Sequence, residues 1–308
     1  MIVSVIIPAF NAEEHIVECV GSALLPSGVG EVIVVDDGSV DNTVGVLRES
    51  FGKNIEDGSL KLICQRNSGV SAARNAALNL ASGDYVAFLD ADDYFFSDYY
   101  KKIFDLIDSV SPDLIEIGFR RFGEGVDNNR APIEFVCSPD DGLSAFESAC
   151  VAGAWYAWCR VVKRSILPLH KFDESIRYCE DMVFLVDVYR SAKSVARVNE
   201  ALYAYRQHSS SACQNQKPEY IDGLLLFLSR NSVSGVRSFN NVIVDSLYNV
   251  CRVNNSLESP YRFTFKQLGV NFLKGFLAAL WQKKVRVRNT LFAIIPPPVS
   301  RFVYKILF

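Results

Sequence analysis

Four short motifs carry residue types that could do chemistry. Leu89-Asp90-Ala91-Asp92-Asp93 ends an apolar run abruptly in acids. Two carboxylates one residue apart at a strand end can turn toward one point, and such oxygen ligands suit Mg²⁺ or Mn²⁺ beside substrate phosphates. The same string, taken alone, also reads as a solvated acidic turn. Asp36-Asp37-Gly38-Ser39 has the same two readings: a carboxylate for a ribose or base, or a turn and helix-capping device. Glu180-Asp181 is a third acidic pair. Asn67 to Asn75 (NSGVSAARN) joins a glycine that permits a tight turn to an Ala-rich stretch. Within it, Arg74 could meet a phosphate or a base, or sit on the surface of a packed helix.

The elements that must position these residues follow from periodicity. Val3 to Pro8, Glu31 to Asp37, Leu60 to Gln65 and Tyr85 to Leu89 read as short buried strands. Asn11 to Leu25, a segment from an Asp41 or Thr43 cap to about Ser50, and Gly69 to Ala81 read as the helices between them. This alternation predicts an α/β fold with right-handed crossovers and a mostly parallel sheet flanked by helices. Ligands of such sheets bind beyond the carboxyl ends of the strands, where the Asp36 and Asp90 clusters fall. Further on, Tyr99 to Val110 reads as a helix, Asp113 to Phe119 as a strand, and 123–141 as a loop. Gly142 to Cys150 and Met182 to Ser191 read as helices and Ala201 to Arg206 as a short strand. The spans 221–229, 242–249 and 265–281 look helical.

Composition narrows the class. The 308 residues hold 32 Lys+Arg against 35 Asp+Glu, and 49% are hydrophobic, a balance that excludes disorder over most of the chain. Eight scattered cysteines without CxxC spacing read as reduced thiols rather than a disulfide or zinc framework. The apolar start alternates like a strand and has no basic leader, so a secretory signal is not expected. No uninterrupted apolar run reaches the roughly 20 residues a membrane span needs.

Taken in order, VSVIIPAFN, EVIVVDDGSVDNT, NSGVSAARNAAL, GDYVAFLDADD, CEDMVF and YRQHSSS closely resemble the inverting family-2 glycosyltransferases of GT-A fold. The resemblance covers about residues 2–212 and implies one nucleotide-sugar-binding catalytic domain over 1–212. It also implies a divalent cation, Mn²⁺ or Mg²⁺, and inversion at the anomeric carbon. By that resemblance Pro8 and Asp36 line the nucleoside pocket, and Asn67 and Arg74 lie near base and phosphates. Asp90 approaches the ribose, Asp92 holds the metal, and Asp181 of the Glu180-Asp181 pair is the general base. Arg206 belongs to a segment that closes over the diphosphate, with His208 either a further metal ligand or a structural histidine. Trp158 to Arg164 resembles a common family segment of less certain role. The implied partners are a nucleotide-sugar donor, foremost a UDP-sugar, and a glycan acceptor, foremost a lipid-linked one of a bacterial surface polysaccharide. A protein or teichoic-acid acceptor, or a binding module without turnover, are the alternatives. A nicotinamide dehydrogenase also uses βαβ units, but PAFNAEEH follows the first strand in place of a GxGxxG turn.

The region 213–308 is expected to be a helical extension. From Tyr261 to Phe308 there are nine Lys/Arg and no Asp/Glu, which leaves 23 basic against 35 acidic residues before it. Phe272, Leu273, Phe276, Leu277, Leu280 and Trp281 recur at helical spacing among those cations. Such a basic amphipathic helix can lie on an anionic membrane surface, which predicts a cytoplasmic protein attached to the inner face of the cell membrane. Packing on the catalytic domain is the other reading. No nucleic-acid partner is expected.

Overall fold

Runs of aliphatic and β-branched residues build the centre of the molecule. In the computed structural model, β1 (Val3–Ala9), β2 (Gly30–Asp36), β3 (Leu60–Cys64) and β4 (Tyr85–Phe88) pair in parallel in the order β3-β2-β1-β4. The residues described are 2–24, 30–124, 126, 145, 148–149, 155–167 and 171–208. Val5, Ile6, Ile7, Ile33, Val34 and Val35 are buried, as strands covered on both faces require. Connecting them are α1 (Ile16–Ala23), α2 (Thr43–Glu56) and α3 (Val70–Leu80). α1 buries Ile16, Cys19, Val20 and Ala23, one stripe at helical spacing.

The second half of the sheet is mixed. Next along the chain come β5 (Tyr94–Phe95), α4 (Tyr99–Val110), β6 (Leu114–Gly123), β7 (Arg160–Lys163), α5 (Glu180–Ser191) and β8 (Val195–Gln207). The described strands form one sheet, β3-β2-β1-β4-β7-β6-β8-β5. β7 lies antiparallel between β4 and β6, β6 pairs parallel with β8, and β5 is antiparallel on the outer edge. The expected parallel order therefore holds from β3 to β4 and gives way beyond it.

Several boundaries differ from the sequence reading; β6, for one, extends to Gly123 rather than Phe119. α1 starts at Ile16, not Asn11, because the backbone N–H groups of Asn11, Ala12 and Glu13 bond to side chains of the next loop. α2 continues to Glu56 through a non-helical Phe51. β8 has 13 residues and runs beside β6 from Val195 to Gln207, with register shifts around Gly118. Exposed Asn199 and Glu200 interrupt its apolar alternation, which hid its first half. At 142–150 the described residues Ala145, Ser148 and Ala149 are helical. The expected helices at 221–229, 242–249 and 265–281 lie outside the described residues.

A buried polar cluster fastens α5 to the sheet. Glu116 of β6 sits between Arg160 of β7 and Arg197 of β8, its register partners, and both arginines pair with its carboxylate. Tyr189 of α5 donates its hydroxyl to Glu116 and accepts from Arg160 Nε at 2.7 Å. Fully buried charges are tolerable only when paired and hydrogen-bonded in this way. Removing one partner leaves the others uncompensated, so the cluster anchors the last turn of α5, where Tyr189 sits. The chain divides into two units, Met1–Glu174 with Glu180–Ser209, and Ser175–Cys179 with Ser210–Phe308. Every residue of the candidate site described below lies in the first.

Candidate active site

Two loops at the carboxyl ends of β1 and β2 are stapled together. Asn11 N–H donates to Ser39 Oγ (2.9 Å), and Val40 N–H returns to Asn11 Oδ1 (2.9 Å). Ala12 N–H meets Thr43 Oγ1, Glu13 N–H meets Asp41 Oδ2, and Asn42 N–H meets Glu13 Oε2. Asn11 adopts φ 49°, a left-handed conformation that asparagine accepts more readily than most residues. Asp41 also accepts from Thr43 N–H, but the residue preceding α2 is Asn42.

The two acids after β2 have different duties. Asp37 is buried and accepts from Gln65 Nε2 (2.7 Å), Ser68 N–H (2.8 Å) and Gly69 N–H (2.7 Å), so it shapes the turn into α3. Asp36 Oδ2 takes Ser39 N–H at 3.2 Å, while Oδ1 is buried with no partner among the described residues. Buried acceptors of this kind are uncommon in folded proteins, and this one is suited to a ligand hydroxyl or N–H. Gly38 has φ 76°, and a Cβ there would meet the Asn67 amide nitrogen at 2.8 Å. Asn67 itself is exposed on the β3–α3 loop, and Pro8 is half-buried near the end of β1.

Arg74 projects from α3 into a nest of acids. Its guanidinium reaches Asp90 at 3.0 Å, Glu180 at 3.1 Å and Asp181 at 2.6 Å, and it lies over the Phe172 ring at 5.1 Å. The sequence reading placed Arg74 near base and phosphates; the structure shows its guanidinium paired with three carboxylates. Asp181 is held on both oxygens, by Arg74 on Oδ1 and by Ala157 N–H on Oδ2 at 3.0 Å. One cation faces three acids, so the cluster resists full ionisation. Burial, reinforced by Asp181 and opposed by Arg74, pushes the Glu180 carboxyl up to about 7. Burial also leads at Asp90, with Asp92 and Asp181 adding to it against Arg74, and lifts its carboxyl to about 6. Glu180 and Asp181 occupy the first turn of α5, where the helix dipole favours negative charge.

The acids after β4 are joined to the end of β8. Asp93 is buried and accepts from Tyr203 Oη (2.6 Å) and Arg206 N–H (2.6 Å). The Tyr203 oxygen in turn accepts Asp90 N–H at 3.2 Å. Arg206 Nε donates to the Asp92 carbonyl (2.7 Å), and its guanidinium meets Glu18 and the Phe122 ring. Arg206 thus links the end of β8 to the Asp92 turn and to α1. These contacts bring His208 Nε2 to 2.8 Å from Asp92 Oδ2, with both side chains partly exposed.

Asp92 and His208 are therefore the pair that could contribute protein donors to a divalent cation here. Among the described residues no group of three His, Cys, Asp or Glu side chains could hold a metal by itself. Two protein donors suit an ion that takes its other ligands from substrate phosphates and water. An imidazole beside a carboxylate suits Mn²⁺ better than the harder Mg²⁺. The donor set therefore fits the expected metal.

Sequence reasoning brought Asp36, Arg74, Asp90, Asp92, Glu180, Asp181 and His208 forward, and the structure links all but Asp36 through two contact groups, Arg74 with its acids and Asp92 with His208. It missed the Ala157 amide, the Tyr203–Asp93 link and the clamp formed by Asp37. Only Asp37 had a visible signal, the doubled acid before glycine.

Comparison with known proteins agrees with this architecture. Residues 4–167 match Glycosyl transferase family 2, and the chain belongs to that family. The uncharacterized glycosyltransferase EpsJ of Bacillus subtilis is 29% identical over 221 residues, covering 68% of this chain and 62% of EpsJ. The crystal structure of S. aureus TarS 1–349 in complex with UDP-GlcNAc superposes with a TM-score of 0.65 at 21% identity, covering 96% of this chain and 82% of that one. The mannosyltransferase PcManGT of Pyrobaculum calidifontis, in complex with GDP-Man and Mn²⁺, gives 0.58 at 15% identity, with 99% and 87% covered. These solved structures share the fold.

Proposed function

We propose that the protein is a metal-dependent inverting glycosyltransferase that moves a sugar from a UDP-sugar to a hydroxyl of a glycan acceptor. The observation that carries this reading is Asp181, a carboxylate fixed on both oxygens beside a cluster of acids at the strand ends. A base held this rigidly can take the acceptor hydroxyl proton as that oxygen attacks the anomeric carbon. The attacking oxygen enters opposite the leaving nucleoside diphosphate, so a single displacement inverts the centre without a covalent intermediate. Asp36 Oδ1 receives a donor group from the nucleoside, and the turn held by Asp37 and Gly38 shapes the same pocket. Asp92 and His208 would hold the cation, which when bound supplies positive charge against the departing diphosphate. The UDP-GlcNAc complex of TarS and the Mn²⁺ complex of PcManGT support the donor and metal assignments by analogy of fold.

The acceptor we favour is a lipid-linked glycan of a bacterial surface polysaccharide, met at the cytoplasmic face of the membrane through the basic tail after Tyr261. That tail lies outside the described residues. Among the described residues no helix is long and apolar enough to cross a membrane. Flotation with anionic liposomes, with and without 261–308, tests the tail; equal flotation removes it from the proposal.

The donor is tested by thermal shift against a panel of sugar nucleotides, with and without Mn²⁺. A ligand at 100 times its Kd adds about 2.7 kcal/mol to stability. Stabilisation by a UDP-sugar only with Mn²⁺ is expected. A shift with NAD(P) and none with any sugar nucleotide would overturn the reading.

A further inference from the structure

The segment that leads into Ala157, whose N–H holds Asp181, is aromatic. Tyr203 stacks on Trp158 (ring centroids 4.3 Å), Trp158 on Tyr156 (4.8 Å), and Tyr156 on Trp155 (5.5 Å). Phe119 of β6 meets Tyr156 and Trp158 edge-on. The buried rungs, Tyr203 and Trp158, belong to the core, whereas Trp155 and Tyr156 are only half-buried. They immediately precede Ala157, whose N–H holds the base. The Trp155 indole N–H makes no hydrogen bond among the described residues.

Arg121 lies two residues beyond Phe119 on β6, and its guanidinium sits over that ring at 5.4 Å. It is half-buried and has no carboxylate or hydrogen-bond partner among the described residues. Arg74, Arg160, Arg197 and Arg206 all face carboxylates. The open fork of Arg121, anchored on an aromatic ring, is matched to a planar or tetrahedral oxyanion.

We propose that the Trp155–Tyr156 edge and Arg121 form the acceptor subsite, and that it takes a sugar bearing an oxyanion, either phosphate or carboxylate. The C–H face of a sugar packs on the half-buried aromatic edge, above all on Trp155, while its hydroxyls keep to water and to Asp181. Arg121 then reads the charged substituent. This assignment rests on the transferase reading above and names the chemistry of its acceptor.

The test is a ligand-observed NMR titration of the full chain, with UDP and Mn²⁺ present, using glucose, glucose 6-phosphate, glucuronate and inorganic phosphate. At least one charged sugar is expected to bind about tenfold or more tighter than glucose, and the pair distinguishes phosphate from carboxylate. Arg121→Gln should abolish that gain, and Trp155→Ala should weaken every sugar while sparing the melting temperature. Equal binding of neutral and charged sugars, or no effect of either substitution, overturns the proposal. So does inorganic phosphate binding as tightly as glucose 6-phosphate, since no sugar platform would then be needed. UDP binding is measured separately on each protein. Its absence would refute the transferase reading, whereas intact UDP binding with no charge preference refutes the acceptor subsite alone.

Discussion

Replacing Glu180 by Gln should stabilise the metal-free protein at alkaline pH. Glu180 lies in the first turn of α5 with its side chain 16% exposed, 3.1 Å from Arg74 and beside Asp181. Its carboxyl is displaced from 4.5 to about 7, first by burial and then by Asp181. In the window between those values the folded protein binds more protons than the unfolded chain. Stability therefore falls as pH rises through it, by roughly 3 kcal/mol if the displacement is fully expressed. Below about pH 4.5 the carboxyl is protonated in both states and the loss is absent. Glutamine cannot ionise, yet its carbonyl can still accept from Arg74. The variant should match the wild type near pH 4.5 and exceed it by about 2–3 kcal/mol at pH 8. Urea unfolding at several pH values, with a chelator present, measures this directly. A variant whose disadvantage grows with pH would refute the reasoning, because it would mean that Glu180 is stabilised in its ionised form.

Asp181→Asn should lower transfer by about 10²–10⁴-fold while donor affinity stays within about twofold, as checked by single-turnover kinetics and UDP titration. Wild-type turnover would remove Asp181 from the base role. Asp92→Ala should weaken UDP-sugar binding in Mn²⁺ and leave binding in chelator unchanged, as read by calorimetry. Asp37→Ala breaks three hydrogen bonds to the turn before α3 and should cost about 2–4 kcal/mol in urea unfolding; a loss below 0.5 kcal/mol, on the order of an ordinary surface change, would show that the turn holds without it.

The parallel half of the fold was legible because each strand is a short apolar run and each intervening helix shows one buried stripe. The acids at the strand ends were legible for the same reason: an abrupt change from Val35 to Asp36 or from Leu89 to Asp90 marks where a buried strand meets its site. What the sequence hid were long-range pairings. Arg74 is separated from Asp181 by 107 positions and Tyr203 from Asp93 by 110, and no local period reports such contacts. Arg74 and Arg206 show the limit most plainly. Motif type puts a cation near the diphosphate, but only the packing of α3, α5 and β8 reveals the acids already facing those guanidinium groups. The antiparallel insertion of β7 was equally invisible, since Arg160 looks like a surface residue until its partner Glu116 is known.

The staple between the β1–α1 and β2–α2 loops makes their lengths interdependent. Each donor or acceptor of one loop is matched to a particular position in the other, from Asn11 with Ser39 to Glu13 with Asn42. A single residue inserted into either loop would put every later pair out of step, and no one compensating substitution could restore them. Paired insertions of equal length would not help, because the two chains enter from strands whose register is already set. In a library of one-residue insertions and deletions, these loops should therefore behave as a single intolerant block. The exposed turn at Asp57–Gly58, where the chain doubles back between α2 and β3 with only local bonds, should accept length changes that 10–13 and 39–43 refuse.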